Sequence, residues 1–296
     1  MSGFSPSPYP SPPKAGERDR VRGDFIGSFR LRLHCAMTSS VYDTIGQGYH
    51  RHRKADPRIT QSLIDLLAIP HCSVIADIGA GTGNYSRALA DVGFQIKAIE
   101  PSYVMKLQAE PHAKVEWFAG PAEAIPLLNT SVDAVVCIFA SHHFSSLLKA
   151  ASEMNRICPQ GTIIWFTFDP READEAWFAD YFPSIWSDAY HLFPPVAHLV
   201  SLFYERLGRM AKVEEFHLPN DLEDLFLGAC WQKPWMYLDD EIRKCMSGFA
   251  LADQGDISNG LARLEEDLSK GRWAEKYAHV LTKVTVDWGY RFVVVR

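Results

Sequence analysis

The stretch VIADIGAGTGN, residues 74–84, decides the fold of this chain because a short apolar run leads directly into three closely spaced glycines. The run SVIADIG (73–79) has the length and the bulky content of a β-strand. Glycines accept positive φ angles and carry no Cβ, so a ligand can approach the backbone where they turn. The amide groups that open the next helix then point towards that ligand. We therefore predict a strand, a bare turn and a helix that together hold a small molecule.

Outward from this stretch, short apolar runs alternate with segments that have helical spacing. The further predicted strands are FQIKAIE (94–100), VEWFAG (115–120), VDAVVCIFA (132–140), GTIIWFTF (161–168), VEEFHLP (213–219) and VDWGYRFVVVR (286–296). Strands that alternate with helices predict βαβ units and a parallel sheet covered on both faces. The fold class is therefore α/β, with a doubly wound Rossmann-like sheet, and the continuous apolar run 134–140 predicts its central strand.

The composition divides the chain into three predicted regions. Residues 1–36 are rich in Pro, Ser and charge and lack apolar periodicity, so we expect a disordered leader, with the working protein starting at Met37. Its basic residues also suit an arm that binds nucleic acid or membrane. Residues 37–170 form the predicted ligand-binding core. Residues 171–296 are predicted to supply a helical substrate cap and the last two strands of the sheet.

Composition also bounds the class of protein. The 296 residues are 47% hydrophobic, enough for a sizeable core, and the formal charge of -6 offers no general attraction to nucleic acid. No run approaches the roughly 20 apolar residues of a membrane span, and no secretion signal is present, so we expect a cytoplasmic protein. Six cysteines without a C-x-x-C pair predict neither a metal site nor a disulfide framework. The sequence leaves the oligomeric state open.

The glycine spacing separates the candidate ligands. A dinucleotide fingerprint reads G-x-G-x-x-G, but here Gly83 comes one residue early and Asn84 holds the expected place. Asp77, at the end of the strand, must find donors among backbone N–H groups or a cationic ligand. Glu100 follows Gly79 by 21 residues, the offset at which an acid accepts both ribose hydroxyls. A nucleoside with a cationic, non-phosphorylated tail satisfies both acids, and S-adenosylmethionine is such a ligand.

With these residues in place, the chain resembles the class I S-adenosylmethionine-dependent methyltransferases, in the small-molecule branch that includes the ubiquinone and menaquinone biosynthesis methyltransferases. ADIGAGTGNYSRAL (76–89) resembles the first family motif and AIEPS (98–102) the second. Residues 120–144 resemble the adenine-contacting segment and fourth strand, and RICPQGTIIWF (156–166) resembles the fifth strand. The resemblance implies seven mostly parallel strands with an antiparallel C-terminal strand, and methyl transfer to a small-molecule acceptor.

The same resemblance implies the cofactor contacts. The glycine turn would pass beneath the methionine part of S-adenosylmethionine. Glu100, at the end of the second strand, would hold the ribose hydroxyls, and the motif residues that follow it would flank the adenine. Many relatives carry Asp at the position of Pro121, and Glu123 is the substitute we expect here. The implied cofactor-binding residues of these motifs are Asp77, Gly79, Ala80, Gly81, Gly83, Glu100, Pro101, Ser102, Ala122 and Glu123.

The segment VYDTIGQGYHRHRKADPRI (41–59) resembles the short helix that covers the cofactor in this branch. Tyr42, Tyr49 and Arg53 match its recurring tyrosine and arginine by position. Arg53 can bind the methionine carboxylate as a two-pronged donor. The alternative is that Arg53 is a solvated surface residue.

On the acceptor side, His142 and His143 follow the fourth predicted strand, so their loop should face the transferred methyl group. A histidine can serve as a general base because its ordinary pKa lies near neutrality, and the same pair can equally shape the pocket. The aromatic segment 177–204, with Trp231 and Trp235, can form a lid over a hydrophobic or aromatic acceptor, or it can be ordinary core.

Three other functions stay open at this point. A nicotinamide-dependent oxidoreductase shares this type of sheet, although G-x-G-x-G followed by IEPS counts against it. The intact glycine turn and Glu100 argue against a non-catalytic binding protein. A nucleic-acid methyltransferase would need a basic surface that the chain lacks. The remaining histidines show no ligand spacing, so we predict no metal site.

Overall fold

The computed structural model describes residues 53–173 and 176–296. The predicted leader, residues 1–36, and the candidates Tyr42 and Tyr49 lie outside the described residues. Within the described ranges, no helix is long and apolar enough to cross a membrane.

A seven-stranded sheet organises the chain, in the order β3-β2-β1-β4-β5-β9-β6. Neighbouring strands among the first five run parallel, whereas β9 runs antiparallel to both β5 and β6. This arrangement confirms the predicted α/β class, the mostly parallel sheet and the antiparallel C-terminal strand. The strands are β1 Val74–Ile78, β2 Gln95–Ile99, β3 Val115–Phe118, β4 Ala134–Ile138, β5 Thr162–Ala173, β6 Ala211–Glu215 and β9 Trp288–Val295, with β7 Leu218–Pro219 and β8 Thr285–Val286 in a separate pair.

The helices lie between and beyond these strands, as the alternating pattern predicts. Polar side chains start several of them: Asp56 caps α1, and Ser146 caps α4 by accepting a hydrogen bond from the Lys149 amide. The helices are α1 Pro57–Leu67, α2 Asn84–Asp91, α3 Tyr103–Leu107, α4 Leu147–Ile157, α5 Phe178–Tyr181, α6 Pro183–Leu192, α7 Val196–Leu207, α8 Asp240–Lys244, α9 Ser247–Leu251, α10 Gln254–Ser269, α11 Arg272–Lys276 and α12 Ala278–Leu281, with 3-10 turns at Ser141–His143, Leu227–Cys230 and Pro234–Leu238.

Both faces of the sheet are covered, and β4 is buried along its whole length. Successive side chains of a strand point to opposite faces, so Ala134 and Val136 pack into one hydrophobic cluster while Val135 and Cys137 pack into the other. This burial is what a continuous apolar run in a central parallel strand predicts. Because the sheet is parallel around β4, the carboxyl ends of β1, β2, β4 and β5 meet at one edge.

The aromatic segment 177–204 folds into α5, α6 and α7, and most of its rings belong to the core. Trp177, Phe178 and Phe203 are fully buried, as is Trp231, whose backbone carbonyl accepts a hydrogen bond of 2.8 Å from the Trp177 indole. Trp235 instead is 58% exposed. Ordinary core therefore accounts for much of this segment.

Candidate functional site

The glycine turn between β1 and α2 has the conformation that its spacing predicts. Gly79, Gly81 and Gly83 have φ angles of +72°, +59° and +76°, a region that other residues rarely adopt. A Cβ added to Gly79 would lie 2.4 Å from the Cβ of Ala140. A Cβ added to Gly81 would meet only the Met105 methyl group, at 3.5 Å. Gly79 is therefore required for packing, whereas the bare face at Gly81 leaves room for a ligand.

Backbone amides of the turn tie it to the end of β2. The amides of Gly79 and Ala80 donate to the Ile99 carbonyl at 2.9 and 3.1 Å. The Glu100 carboxylate accepts hydrogen bonds from the Gly81 amide at 2.9 Å and from the Ser102 amide at 2.8 Å. Burial raises the pKa of Glu100, and these two amides oppose the rise. The first and second sequence motifs thus meet in one hydrogen-bonded unit.

Asp77 lies beneath this unit and is 2% exposed. Its Oδ2 accepts a hydrogen bond of 2.5 Å from the Ser86 hydroxyl, which belongs to α2. This donor is a side chain, which the sequence did not predict, and a contact of Asp77 with a cationic ligand stays a prediction. Burial raises the pKa of Asp77 to about 6; the Ser86 hydrogen bond lowers it, and the charge of Glu100 raises it further. This contact joins α2 to β1 below the turn.

Arg53 is 13% exposed and forms an ion pair, so its side chain is not simply solvated. Its Nε and Nη2 donate to the two carboxylate oxygens of Asp224, the Nη2 bond being 3.3 Å long. Asp224 is 1% exposed and also accepts a hydrogen bond of 3.0 Å from the Tyr85 hydroxyl. Asp224 and Tyr85 were not predicted as site residues, because Asp224 is 171 residues away from Arg53 and no local motif marks it.

On the adenine side, Ser102 caps α3 by accepting a hydrogen bond from the Met105 amide at 3.3 Å. Pro101 is exposed and Ala122 is buried. Glu123 directs Oε1 at the start of α4, where it accepts hydrogen bonds from the Ser145 hydroxyl at 2.9 Å and the Ser146 amide at 3.0 Å. A contact of Glu123 with the adenine amino group stays a prediction.

His142 and His143 occupy the 3-10 turn that follows β4, with ring centroids 3.7 Å apart. Burial lowers the pKa of both, that of His143 to about 4. Both rings are therefore neutral at neutral pH, and a general-base role for either histidine stays a prediction. The Nδ1 atom of His142 is buried and has no hydrogen-bond partner among the described residues. The His142 ring packs against Phe193 at 4.5 Å.

An aromatic wall stands beside this turn. Phe139, which has a φ of +52°, packs its ring against Phe166, Phe226 and Tyr290 at centroid distances of 4.6, 4.8 and 5.8 Å. A bulky residue with positive φ is strained, and such strain concentrates at functional sites. Phe139 and Phe226 were not predicted as site residues from the sequence. Phe166, Phe226 and Tyr290 are buried, whereas Phe139 is half-buried, so Phe139 is the ring of the wall that lies nearest the surface at the end of β4.

Among the described residues, Glu215, His217 and Asp287 bring metal-ligand atoms within 4.8 Å of one another. His217 Nε2 and Glu215 Oε2 are 2.9 Å apart. Asp287, however, accepts hydrogen bonds of 2.6 and 2.8 Å from the two terminal nitrogens of Arg291. The ion pair with Arg291 thus accounts for the Asp287 carboxylate without a metal. Because Asp287 lies far along the chain from His217, spacing could not have found this group.

Comparison with known proteins agrees with this geometry. The family described as a methyltransferase domain matches residues 76–166. A crystal structure from Anabaena variabilis, named for a methyltransferase of an antibiotic biosynthesis pathway, is 46% identical and covers 83% of this chain and 99% of its own, with a TM-score of 0.81. The chain belongs to the class I S-adenosylmethionine-dependent methyltransferases.

Curated members of this methyltransferase family match over shorter stretches. The ubiquinone/menaquinone biosynthesis C-methyltransferase of Rubrivivax gelatinosus is 29% identical over 116 residues, which are 38% of this chain and 45% of that protein. The demethylmenaquinone methyltransferase of Renibacterium salmoninarum is 33% identical over 95 residues, 32% of this chain and 40% of that protein. The matched region thus spans less than half the length of either relative.

The residues present fit the cofactor of this family, S-adenosylmethionine. The turn at Gly81 is a cradle that a larger side chain would fill, and its amides lie against an acidic side chain, Glu100. A carboxylate at this place can accept hydrogen bonds from ribose hydroxyls, and it disfavours a phosphate because two anions repel each other.

Proposed function

We propose that this methyltransferase transfers a methyl group from S-adenosylmethionine to an apolar or aromatic small molecule that binds where β4 and β5 end. The observation that carries the proposal is the hydrogen bond from the Gly81 amide to Glu100 beside an aromatic wall. This contact unites the two motifs that bind the cofactor in the family. Phe139, the half-buried ring of the neighbouring wall, offers the acceptor an apolar contact.

On the cofactor side, the bound group supplies an electrophilic methyl on its sulfonium. We assign the ribose hydroxyls to Glu100, the methionine part to the backbone of Gly79, Ala80 and Gly81, and its carboxylate to Arg53. Asp77 supports the turn from below through Ser86. Methyl transfer needs chiefly in-line placement of the two reacting atoms, so these contacts act by positioning.

On the acceptor side, the wall and the two histidines exclude water and orient the acceptor. Neutral imidazole can accept a hydrogen bond from a hydroxyl, thiol or acidic carbon. With a pKa of about 4, His143 is a weak base, so orientation of the acceptor is its larger contribution. The Rubrivivax relative is named a C-methyltransferase. An electron-rich ring carbon fits the same apolar wall.

The proposal is tested by a labelled-methyl screen in which S-adenosylmethionine with a labelled methyl group is offered with pools of small aromatic and apolar metabolites. We expect transfer by the wild-type chain and none by Gly81→Arg, whose side chain fills the cradle. Gly208→Arg is the matched control, because Gly208 has a φ of +64° and an added Cβ there has nothing within 4 Å. Full transfer by Gly81→Arg would place the cofactor elsewhere.

Titration calorimetry tests the cofactor separately from the acceptor. We expect S-adenosylmethionine and S-adenosylhomocysteine to bind, and NADH not to bind. Binding of NADH with none of S-adenosylmethionine would instead support the oxidoreductase.

A further inference from the structure

Residues 221–226 form a short segment, here called the strap, between β7 and the 3-10 turn at Leu227–Cys230. At its start, Asp221 pairs with Arg58, and the Glu223 amide donates to Asp56 Oδ2 at 2.9 Å. At its end, the Phe226 ring belongs to the aromatic wall and packs against Phe139 and Tyr290. The strap therefore connects the start of α1 with the acceptor side.

Asp224 lies in the middle of the strap and is the buried charge of that segment. Its carboxylate accepts hydrogen bonds from Arg53 Nε and Nη2 and from the Tyr85 hydroxyl. A carboxylate that is 1% exposed needs such partners, because burial of an unpaired charge is costly. Burial raises the pKa of Tyr85 well above its ordinary value, and the charge of Asp224 adds to this effect, so the hydroxyl stays protonated as a donor.

Both partners of Asp224 are fixed to the end of the glycine turn. Tyr85 is the second residue of α2, which begins at Asn84 directly after Gly83. The Asn84 side-chain amide donates to the backbone carbonyl of Arg53 at 2.6 Å. Asp224 thus sets the orientation of a guanidinium whose own backbone is anchored beside the cofactor turn.

We propose that Asp224 is a positioning residue for the cofactor, because it holds the Arg53 guanidinium where the carboxylate of the methionine part binds. This inference rests on the proposed function and names a contact behind it. A guanidinium is a planar fork, so two bonds to one carboxylate fix its plane as well as its position. The pair also carries no net charge, which suits a tail with one ammonium and one carboxylate.

The test compares Asp224→Asn with the wild-type chain. The amide keeps the shape of the side chain but loses its charge and one acceptor. We expect S-adenosylhomocysteine to bind about tenfold more weakly in calorimetry, a change of about 1.4 kcal/mol. The KM for S-adenosylmethionine should rise by a similar factor, whereas kcat at saturating cofactor should change by less than about twofold, because the guanidinium acts in binding.

Asp287→Asn is the matched control for loss of a buried ion pair. Asp287 accepts two hydrogen bonds from Arg291, and the two side chains are 15% and 5% exposed. This variant should lower the melting temperature yet leave the affinity for S-adenosylhomocysteine within about twofold of wild type. Equal weakening in both variants would reduce Asp224 to a structural residue and overturn the proposal.

Tyr85→Phe keeps the test decisive if Asp224→Asn does not fold. It removes one donor to Asp224 and retains the ring, and we expect affinity for S-adenosylhomocysteine to fall about threefold, about 0.7 kcal/mol. Unchanged affinity for S-adenosylhomocysteine in Asp224→Asn would overturn the inference. If Asp224→Asn does not fold, unchanged affinity in Tyr85→Phe would overturn it. Failure of the wild-type chain to bind S-adenosylhomocysteine would instead refute the proposed function.

Discussion

The glycine turn between β1 and α2 and the aromatic wall lie at the same edge of the sheet, but different parts of the polypeptide build them. The turn is local and uses backbone amides between residues 79 and 102. The wall collects rings from residues 139, 166, 226 and 290. A site made of backbone depends on φ angles and tolerates few substitutions, whereas a wall of side chains can change its shape while the sheet stays the same. The comparison explains how one scaffold can keep its methyl donor and vary its acceptor.

The largest effect is expected at Gly79, where packing and backbone conformation coincide. Gly79→Ala forces a Cβ to 2.4 Å from the Cβ of Ala140 and keeps a φ of +72°. We expect the free energy of unfolding to fall by about 4 kcal/mol, measured by urea denaturation. Gly208→Ala shares the positive φ but has open space, and should cost only about 1 kcal/mol. Equal costs would show that packing at the turn is not the constraint.

The next effect separates ligand binding from stability. Gly81→Arg should weaken binding of S-adenosylhomocysteine by about 100-fold or more, about 2.7 kcal/mol, while its melting temperature changes no more than that of Gly208→Arg. The reason is that a Cβ at Gly81 meets only the Met105 methyl group at 3.5 Å, so the new side chain enters the cradle. Calorimetry and thermal unfolding measure the two quantities. Retained affinity would break the assignment of the turn to the cofactor.

A smaller effect concerns pH and the acid below the turn. Burial raises the pKa of Asp77 from 3.8 to about 6, so the folded chain holds this proton more tightly than the unfolded chain. Protonated Asp77 therefore stabilises the folded chain. This stabilisation is fully present below the pKa of the unfolded chain and is lost as the pH rises through about 6, so the free energy of unfolding falls by about 2 kcal/mol between about pH 4.5 and 7.5.

The free energy of unfolding of Asp77→Asn should not show this dependence on pH, because the amide does not titrate in this range. Urea midpoints of the cofactor-free wild type and variant, measured across this pH range, give the difference. Parallel curves for the two proteins would contradict the raised pKa and would place Asp77 in a more solvated setting.

The smallest effect is expected on the acceptor side. His143→Gln should lower kcat/KM for the acceptor about tenfold and leave the affinity for S-adenosylhomocysteine within about twofold, since the His143 ring packs on His142 in the 3-10 turn after β4 and not on the glycine turn. Burial lowers the pKa of His143 to about 4, so the ratio of wild-type to variant kcat should stay constant from about pH 5.5 to 8. His279→Gln, on the exposed face of α12, is the control. A ratio that rises through a midpoint near 6.5 would restore the general-base role.

The difference between local and distant contacts also determines which features could be predicted from the sequence. The sheet, the turn and Glu100 follow from local patterns, because glycine spacing and strand periodicity constrain neighbouring residues. Asp224 and Phe226 could not be found in this way, since each meets its partners only after the chain has folded. The lowered pKa of His143 depends on burial, which no short motif encodes. Asp77 was correctly placed, but its donor, Ser86, was not foreseen.

The last feature concerns the order of events during folding. Among the described strands, β6 pairs with β9 alone, and β9 follows it by more than seventy residues of chain. Strand β6 therefore has no partner among these strands until β9 has been synthesised. Unpaired edges invite association between nascent chains, and charges on the strand oppose it. Within AKVEE (211–215), Lys212, Glu214 and Glu215 place charge on three of five positions. Charge at these positions opposes pairing of β6 with a second copy of the chain before β9 is in place.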